Sequence, residues 1–376
     1  MSNYAVIGLG YGDEGKGVVT DFLSRTLKES SVVIRFSGGH QAGHTVQLSD
    51  GTRHVFSNFG SGTLAYLPTY WSKYCTFDPL GMKNELVKLQ NMGYNPEIFI
   101  NKLSPLVTPY DKKYNKVSEE ARHGTCGVGF GKTIEREESF YSLVAMDIYY
   151  PRILREKIDL LKEHYYYHIN VTEEDMKNFY DAIEYLKEYE ELVLTDIEPE
   201  DTGFINKIYE GSQGLLLSQD IGFFPHVTRS YTGLQRVPDS EVYYVTRAYS
   251  TRHGAGPFIE GGYPEDYFTK AAGDEYETNK TNIYQGEFRR GILDLDVLKY
   301  GLNKHLSVYG ENTTSNLVVT CMDHVKPPYM IRHNNKVLEL NTKEQFLLMI
   351  KAALGVDFKE TFTNWSPVGN LVKEFV

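Results

Sequence analysis

The stretch that leaves this chain least freedom is GLGYGDEGKG, residues 8–17, in which five of ten positions are glycine. It stands between a short apolar run, NYAVIGLG, and a stretch of helical spacing, EGKGVVTDFLSRTLKES, after which SVVIRFSGG is a second apolar run. Strand, glycine-rich turn, helix and strand is the order that sets a phosphate-binding loop at a helix N-terminus, where backbone N–H groups and the helix dipole favour anions. Gly10, Gly12 and Gly15 fit G-x-G-x-x-G, whereas Gly10, Gly15 and Lys16 fit G-x-x-x-x-G-K with Gly17 where a hydroxyl should follow. A dinucleotide fold needs an acid roughly 20 residues further on to hold a ribose hydroxyl. The chain has VVIRFSGG there, and Arg35 would suit only a 2'-phosphate, so the oxidoreductase reading is set aside.

The P-loop half of the motif is intact at Lys16. Without the usual magnesium hydroxyl at position 17 the metal needs another ligand, and Asp13 and Glu14 are the candidates. A carboxylate in a phosphate loop repels its ligand unless it binds Mg²⁺ or removes a proton. Asp13 could instead cap the helix that begins near Gly15. His40 and His44 share a second glycine-flanked loop, SGGHQAGHTV, and a histidine beside a phosphate can stabilise developing charge or act as general acid.

Further alternation follows in EIFI, in TEEDMKNFYDAIEYLKEY opened by Thr172, and in FINKIYEG, EVYYVTRAY, NLVVTCMD and TKEQFLLMIKAAL. The expected fold is α/β, a mostly parallel central sheet flanked by helices with a P-loop-like nucleotide-binding loop after the first strand. No linker or repeat divides residues 1–376, so one domain with inserted loops is expected. Glycine-rich loops after several apolar runs should converge beyond the carboxyl ends of the strands.

Composition narrows the function. A net charge of -11 argues against sequence-independent nucleic-acid binding. No segment has the roughly 20 apolar residues of a membrane span, and no signal-peptide pattern opens the chain, so a cytoplasmic protein is expected, in the host cytoplasm if the source is viral. Cys75, Cys126 and Cys321 lack zinc or disulfide spacing. The 29 tyrosines carry no functional reading of their own.

Together with EGSQGLLLSQDIGFFPHVT, TRHGAGPF and FRRGILDLDVLKYG, these loops resemble adenylosuccinate synthetase, from residue 4 to about residue 325, with poor matching at about 65–120 and 140–205. The resemblance implies a ligase acting in two steps on a 6-oxopurine nucleoside monophosphate. A γ-phosphoryl group passes to O6, and the amine of L-aspartate then displaces phosphate from C6. It implies Asp13 as the base at N1 and a ligand of Mg²⁺, with the Gly43 carbonyl as a second ligand. His44 would stabilise the transferring phosphoryl, and Gln213 would touch the base. Gly12, Glu14, Gly15, Lys16, Gly17, Thr45 and Asp323 would hold the triphosphate donor, and Gln41, Thr125 and Thr228 the acceptor, with Asp220 in the same loop. Arg136 resembles an arginine contributed by a second subunit, which implies a homodimer, and Arg289 and Arg290 would grip the aspartate carboxylates.

Two departures bear on substrates. The aspartate loop, T-T-G-R-x-R-R in the family, is YQGEFRRG here, with Tyr284, Gln285 and Glu287 replacing two threonines and an arginine. The guanine-reading T-K-x-D is TCMD, with Cys321 for the lysine, which favours ATP or dATP over GTP. A viral branch resembling this family takes dGMP and makes the 2-aminoadenine precursor. The short chain and the lost lysine lean towards it, whereas retention of Asp13 leans towards IMP. A nucleotide sensor would have no need of a base, and an unrelated P-loop phosphotransferase would turn over fully without aspartate.

Overall fold

A computed structural model describes residues 2–118, 125–165, 167–273, 277, 286–310 and 313–376. Its centre is a ten-stranded sheet, whose strands are β1 (Ser2–Gly8), β2 (Ser31–Arg35), β3 (Thr69–Trp71), β4 (Ile98–Asn101), β5 (Leu192–Thr195), β6 (Asn206–Gly214), β7 (Glu241–Arg247), β8 (Thr314–Thr320), β9 (Glu360–Thr363) and β10 (Val372–Glu374). In space they run β10-β9-β8-β7-β1-β6-β2-β3-β4-β5. Every neighbouring pair is parallel except β9 and β10. The helices are α1 (Lys16–Leu27), α2 (Pro79–Asn91), α3 (Pro109–Val117), α4 (Phe130–Glu137), α5 (Pro151–Tyr165), α6 (Glu173–Lys187), α7 (Leu295–Tyr309) and α8 (Lys343–Leu354).

The middles of β1, β2, β7 and β8 are runs of buried apolar residues because both faces are covered. Ala5 and Ile7 of β1, Val32 and Ile34 of β2, and Leu317 and Val319 of β8 join the layer that includes Leu298 and Leu302 of α7 and Phe346 and Ile350 of α8. The alternate residues Val6, Val33 and Val318 pack with Val19 and Leu23 of α1. Each such aliphatic side chain contributes about 1.5–3 kcal/mol on burial, so the sheet fixes where α1 starts and therefore where the glycine-rich loop sits. The helix opened by Thr172 is present as α6, with Thr172 accepting from the Asp175 amide and Asp175 accepting from that of Thr172.

From β1 the chain crosses over β6 to reach β2 and continues outward to β5, while β7, β8 and β9 fill the other side. The strand order therefore reverses at β1, and in such a sheet ligands bind beyond the carboxyl ends at that point. The loops after β1, β2, β6, β7 and β8 all emerge there.

Candidate active site

Gly15, at φ +86°, precedes α1, and a Cβ on it would lie 3.2 Å from the Thr320 hydroxyl, so both backbone and space call for glycine. No side chain caps this helix, which removes capping as the role of Asp13. Glu14 folds back into the loop. Its Oε1 accepts from the Gly10 amide at 3.0 Å and the Gly12 amide at 2.7 Å, and its Oε2 takes the Lys16 ammonium at 2.8 Å. Lys16 also donates to the Gly12 carbonyl at 2.7 Å. A Cβ at Gly8, Gly10 or Gly214 would run into this carboxylate, so several glycines exist to house it. Burial would push the Glu14 carboxyl up, but Lys16 and the loop amides outweigh that and hold it below the ordinary range. A carboxylate so engaged is not free for a metal, which corrects one of the two candidates. Gly17 has its own reason. Its Cβ would lie 3.0 Å from that of His44 and 3.1 Å from the Thr45 carbonyl, so the hydroxyl of an ordinary P-loop has no room.

Asp13 is half-buried, and its carboxylate takes no hydrogen bond among the described residues. Desolvation raises its pKa to about 6, against the pull of Arg247 and with a smaller push from Glu14. Arg247, at the end of β7, donates to the Asp13 carbonyl and pairs with Glu277 at 3.2 Å. The loop after β2 brings in His44, whose Nδ1 lies 2.7 Å from Glu210 Oε1 and whose Nε2 lies 3.3 Å from the Ser212 carbonyl. Arg35, set aside above as a phosphate ligand, is fully buried between Trp71, Ser212 and the Phe59 carbonyl.

Beside this corner lies a cavity of about 960 Å³ lined by Gln41, Gln213, Thr125, Thr228, Arg252 and Arg229 among others. Gly12 adjoins it, 3.8 Å from the Gln213 Cα for any Cβ placed there, and the half-buried Cys126 in its wall has its thiol pushed up by desolvation and, less, by the charge of Asp13. Both polar atoms of the Gln41 amide and Oε1 of Gln213 are buried without a partner, which marks the wall as built for a hydrogen-bonding ligand. Thr125 donates to Asn115 at 3.0 Å, and the Thr228 amide donates to the Leu217 carbonyl at 2.8 Å. Gly43 is exposed and Thr45 half-buried beside His44. Asp323 follows β8 in a short turn, its carboxyl raised by burial, with Cys321 before it at φ +56°. Arg289 and Arg290 lie on a strand, Phe288–Gly291, paired with Ser250–His253, so that Arg289 stands opposite Arg252. Arg289 donates to the Gly254 and Gly256 carbonyls, and Arg290 sits 5.5 Å over the Phe268 ring. Tyr284 and Gln285 fall outside the described residues.

Arg136 does not join this group. It is buried, with Nε 3.0 Å from Asp111, and it also donates to Glu137 and to the Leu106 and Tyr141 carbonyls. Its guanidinium is fully used inside its own subunit, so the expected reach into a second one is not available here. Sequence reading also passed over Glu210, Arg247, Lys132 and Arg229. Glu210 had a signal, an acid directly after the apolar pair Ile208 and Tyr209 in a strand-like run, whereas the others become visible only through tertiary contacts.

The family profile of adenylosuccinate synthetase matches residues 5–332. The chain belongs to the adenylosuccinate synthetase family. It is similar to the adenylosuccinate synthetases of Francisella philomiragia, at 31% identity over 80% of this chain and 74% of the relative, and of Francisella tularensis subsp. novicida, at 29% over the same shares. The fold is similar to that of fully ligated adenylosuccinate synthetase from Plasmodium falciparum, with a TM-score of 0.75, 17% identity and 99% of each chain covered. It is also similar to that of cyanophage S-2L succinoaminodeoxyadenylate synthetase bound to dGMP and dATP, with a TM-score of 0.64, 14% identity, and 99% and 95% covered. The chain is thus a C–N ligase of adenylosuccinate synthetase type, joining aspartate to an IMP-like nucleotide, in a family that uses a nucleoside triphosphate and Mg²⁺. No helix among the described residues is long and apolar enough to cross a membrane.

Proposed function

We propose that the chain couples L-aspartate to C6 of dGMP, with ATP or dATP as the phosphoryl donor, giving 2-amino-2'-deoxy-N6-succinyladenylate. The observation that carries the chemistry is the Asp13 carboxylate, half-buried, without a hydrogen bond among the described residues and pushed up by burial to about 6, beside a cavity where the Gln41 amide and Gln213 Oε1 lack partners. Asp13 takes the N1 proton, O6 attacks the γ-phosphorus, and the nucleoside diphosphate leaves. The amine of aspartate then attacks C6, and phosphate departs with the electron pair of the C6–O6 bond. Gln213 holds the base edge, His44 faces the charge on the transferred group, and Thr125, Thr228 and Gln41 orient the nucleotide. Lys16 and the amides of Glu14 to Gly17, at the start of α1, face the donor phosphates, with Gly12 and Thr45 beside them. Asp323 stands for the donor base, and Arg289 and Arg290 for the aspartate carboxylates.

A free carboxylate at Asp13 and an exposed carbonyl at Gly43 are the hard oxygen donors that Mg²⁺ takes, alongside phosphate oxygens. When bound, it would neutralise charge between the phosphates. The homodimer implied by Arg136 loses that support, because its guanidinium is committed to Asp111.

For dGMP over IMP, support comes from Cys321 in place of the donor-base lysine and from the likeness in fold to the cyanophage enzyme bound to dGMP and dATP, whereas the retained Asp13 stands on the side of IMP. IMP is the second reading, favoured by the bacterial relatives named for adenylosuccinate. A matrix of dGMP, GMP and IMP against ATP, dATP and GTP, with aspartate and Mg²⁺ and product mass as the readout, separates the two. A kcat/KM for IMP above that for dGMP overturns the choice of acceptor.

A further inference from the structure

Glu210 lies in β6 at the centre of the sheet, with none of its surface exposed. It shares a face with Ile208 and stands in register with Val6 of β1 on one side and Arg35 of β2 on the other. Burying a carboxylate costs several kcal/mol unless donors surround it. Here the Ser61 amide lies 3.0 Å away, the Ser61 hydroxyl donates to it, and His44 Nδ1 lies 2.7 Å away. Arg35 adds a buried positive charge on the adjoining strand. With every neighbour a donor, the carboxylate can only accept, so the proton of the imidazole that meets it belongs on Nδ1. The other nitrogen lies 3.3 Å from the Ser212 carbonyl, a second acceptor, at the turn that leads into Gln213, so an Nε2–H as well as the Nδ1–H has a partner when the ring is charged.

We propose that Glu210, braced by Ser61, is the positioning residue of the phosphoryl-transfer site, holding the Nδ1–H and the tilt of His44 and balancing the charge of its imidazolium, so that Nε2–H is presented to the transferring group. Glu210 touches no substrate in this arrangement and acts only through the ring. The inference rests on the role given to His44 above. Its closest physical analogue is the carboxylate behind a catalytic histidine in serine hydrolases, where an amide in its place preserves the geometry, presents the wrong tautomer and lowers kcat by roughly 10⁴.

Glu210→Gln keeps the shape but puts an NH2 group against one of three donors. We expect kcat to fall by roughly 10² or more, the scale for losing a charge-stabilising or acid–base group, with KM for the acceptor changing less than about twofold. Ser61→Ala, which removes one brace without touching the ring, should cost roughly tenfold and guards against a variant that does not fold. In the His44→Asn background, Glu210→Gln should add less than about threefold. Imidazole ¹⁵N spectra of selectively labelled protein should show Nδ1 protonated in the wild type and not in Glu210→Gln. A Glu210→Gln enzyme within threefold of wild type, or one that keeps its full penalty without His44, overturns the proposal. Failure of the wild type on every acceptor would instead overturn the functional reading, since the ¹⁵N signature reports on the pair whether or not the enzyme turns over.

Discussion

Gly17→Ala separates stability from catalysis at one carbon atom. Alanine in place of glycine in the first turn of α1 gains up to about 1 kcal/mol of helix propensity. Against this, the new Cβ lies 3.0 Å from the Cβ of His44, 3.1 Å from the Thr45 carbonyl and 3.2 Å from the Ser61 hydroxyl. Overpacking of this kind costs about 1–3 kcal/mol, so the net loss is about 0–2 kcal/mol, and a fold of ordinary stability survives it. The neighbours relieve the contact by moving a few tenths of an ångström, and His44 is one of them. A displacement of about 1 Å at a catalytic group costs roughly 10² in rate, so a few tenths should cost roughly 3- to 10-fold in kcat. Thermal unfolding should therefore show a fall of no more than a few degrees while steady-state kinetics show the larger change. Gly17→Ser, which writes in the hydroxyl of an ordinary P-loop, hangs its oxygen on the same crowded carbon and should do no better. A Gly17→Ala enzyme with wild-type kcat, or a Gly17→Ser enzyme with improved Mg²⁺ dependence, would refute the steric account of this position.

Asp13→Asn should lower kcat by at least roughly 10² while leaving acceptor affinity, measured by calorimetry, close to wild type; turnover at the wild-type rate would remove it as the base. Cys321 already sits at φ +56°, so Cys321→Lys adds no new backbone strain and should raise the GTP-to-ATP ratio of kcat/KM at least tenfold if the TCMD turn faces the donor base. His305 is buried with both ring nitrogens unpartnered, and burial drops its pKa to about 4. Its unfolded-state value of about 6.5 is higher, so the folded state binds fewer protons. Stability is full above pH 6.5 and is lost as pH falls towards 4, by about 3 kcal/mol for the whole step. His305→Leu should flatten that acid limb in urea titrations between pH 7 and 4, and an unchanged slope would show that another group sets it.

Much of the fold was legible because the strands that matter are buried on both faces. NYAVIGLG, SVVIRFSGG, EVYYVTRAY and NLVVTCMD each contain a strand of the central sheet, and the helix starts at Thr172 and Thr342 are true caps. The strands that escaped are short or peripheral. Thr69–Trp71 is three residues with no alternation to detect, and Leu192–Thr195 lies at the sheet edge with only one neighbour. Strand order was beyond reach for a different reason. β6 inserts between β1 and β2 after nearly two hundred residues of intervening chain, and no local pattern encodes that return.

The site divides along the same line. Glycines announced the loop because each answers a local demand, a positive φ at Gly15 or the space that the Glu14 carboxylate fills at Gly8 and Gly10. What Glu14 and Arg136 do depends on what they meet. Glu14 looked as available to a metal as Asp13 until the amides of Gly10 and Gly12 closed on it. Arg136 lies on α4 one turn beyond Lys132, and that face turns inward onto Asp111, twenty-five residues earlier. Glu135, one residue before it on the same helix, turns outward to Arg229 at the cavity. A shift of one residue along α4 thus separates the buried guanidinium of Arg136 from the carboxylate that meets Arg229, a cation of the cavity wall, and no local pattern tells which side of that divide an arginine falls on.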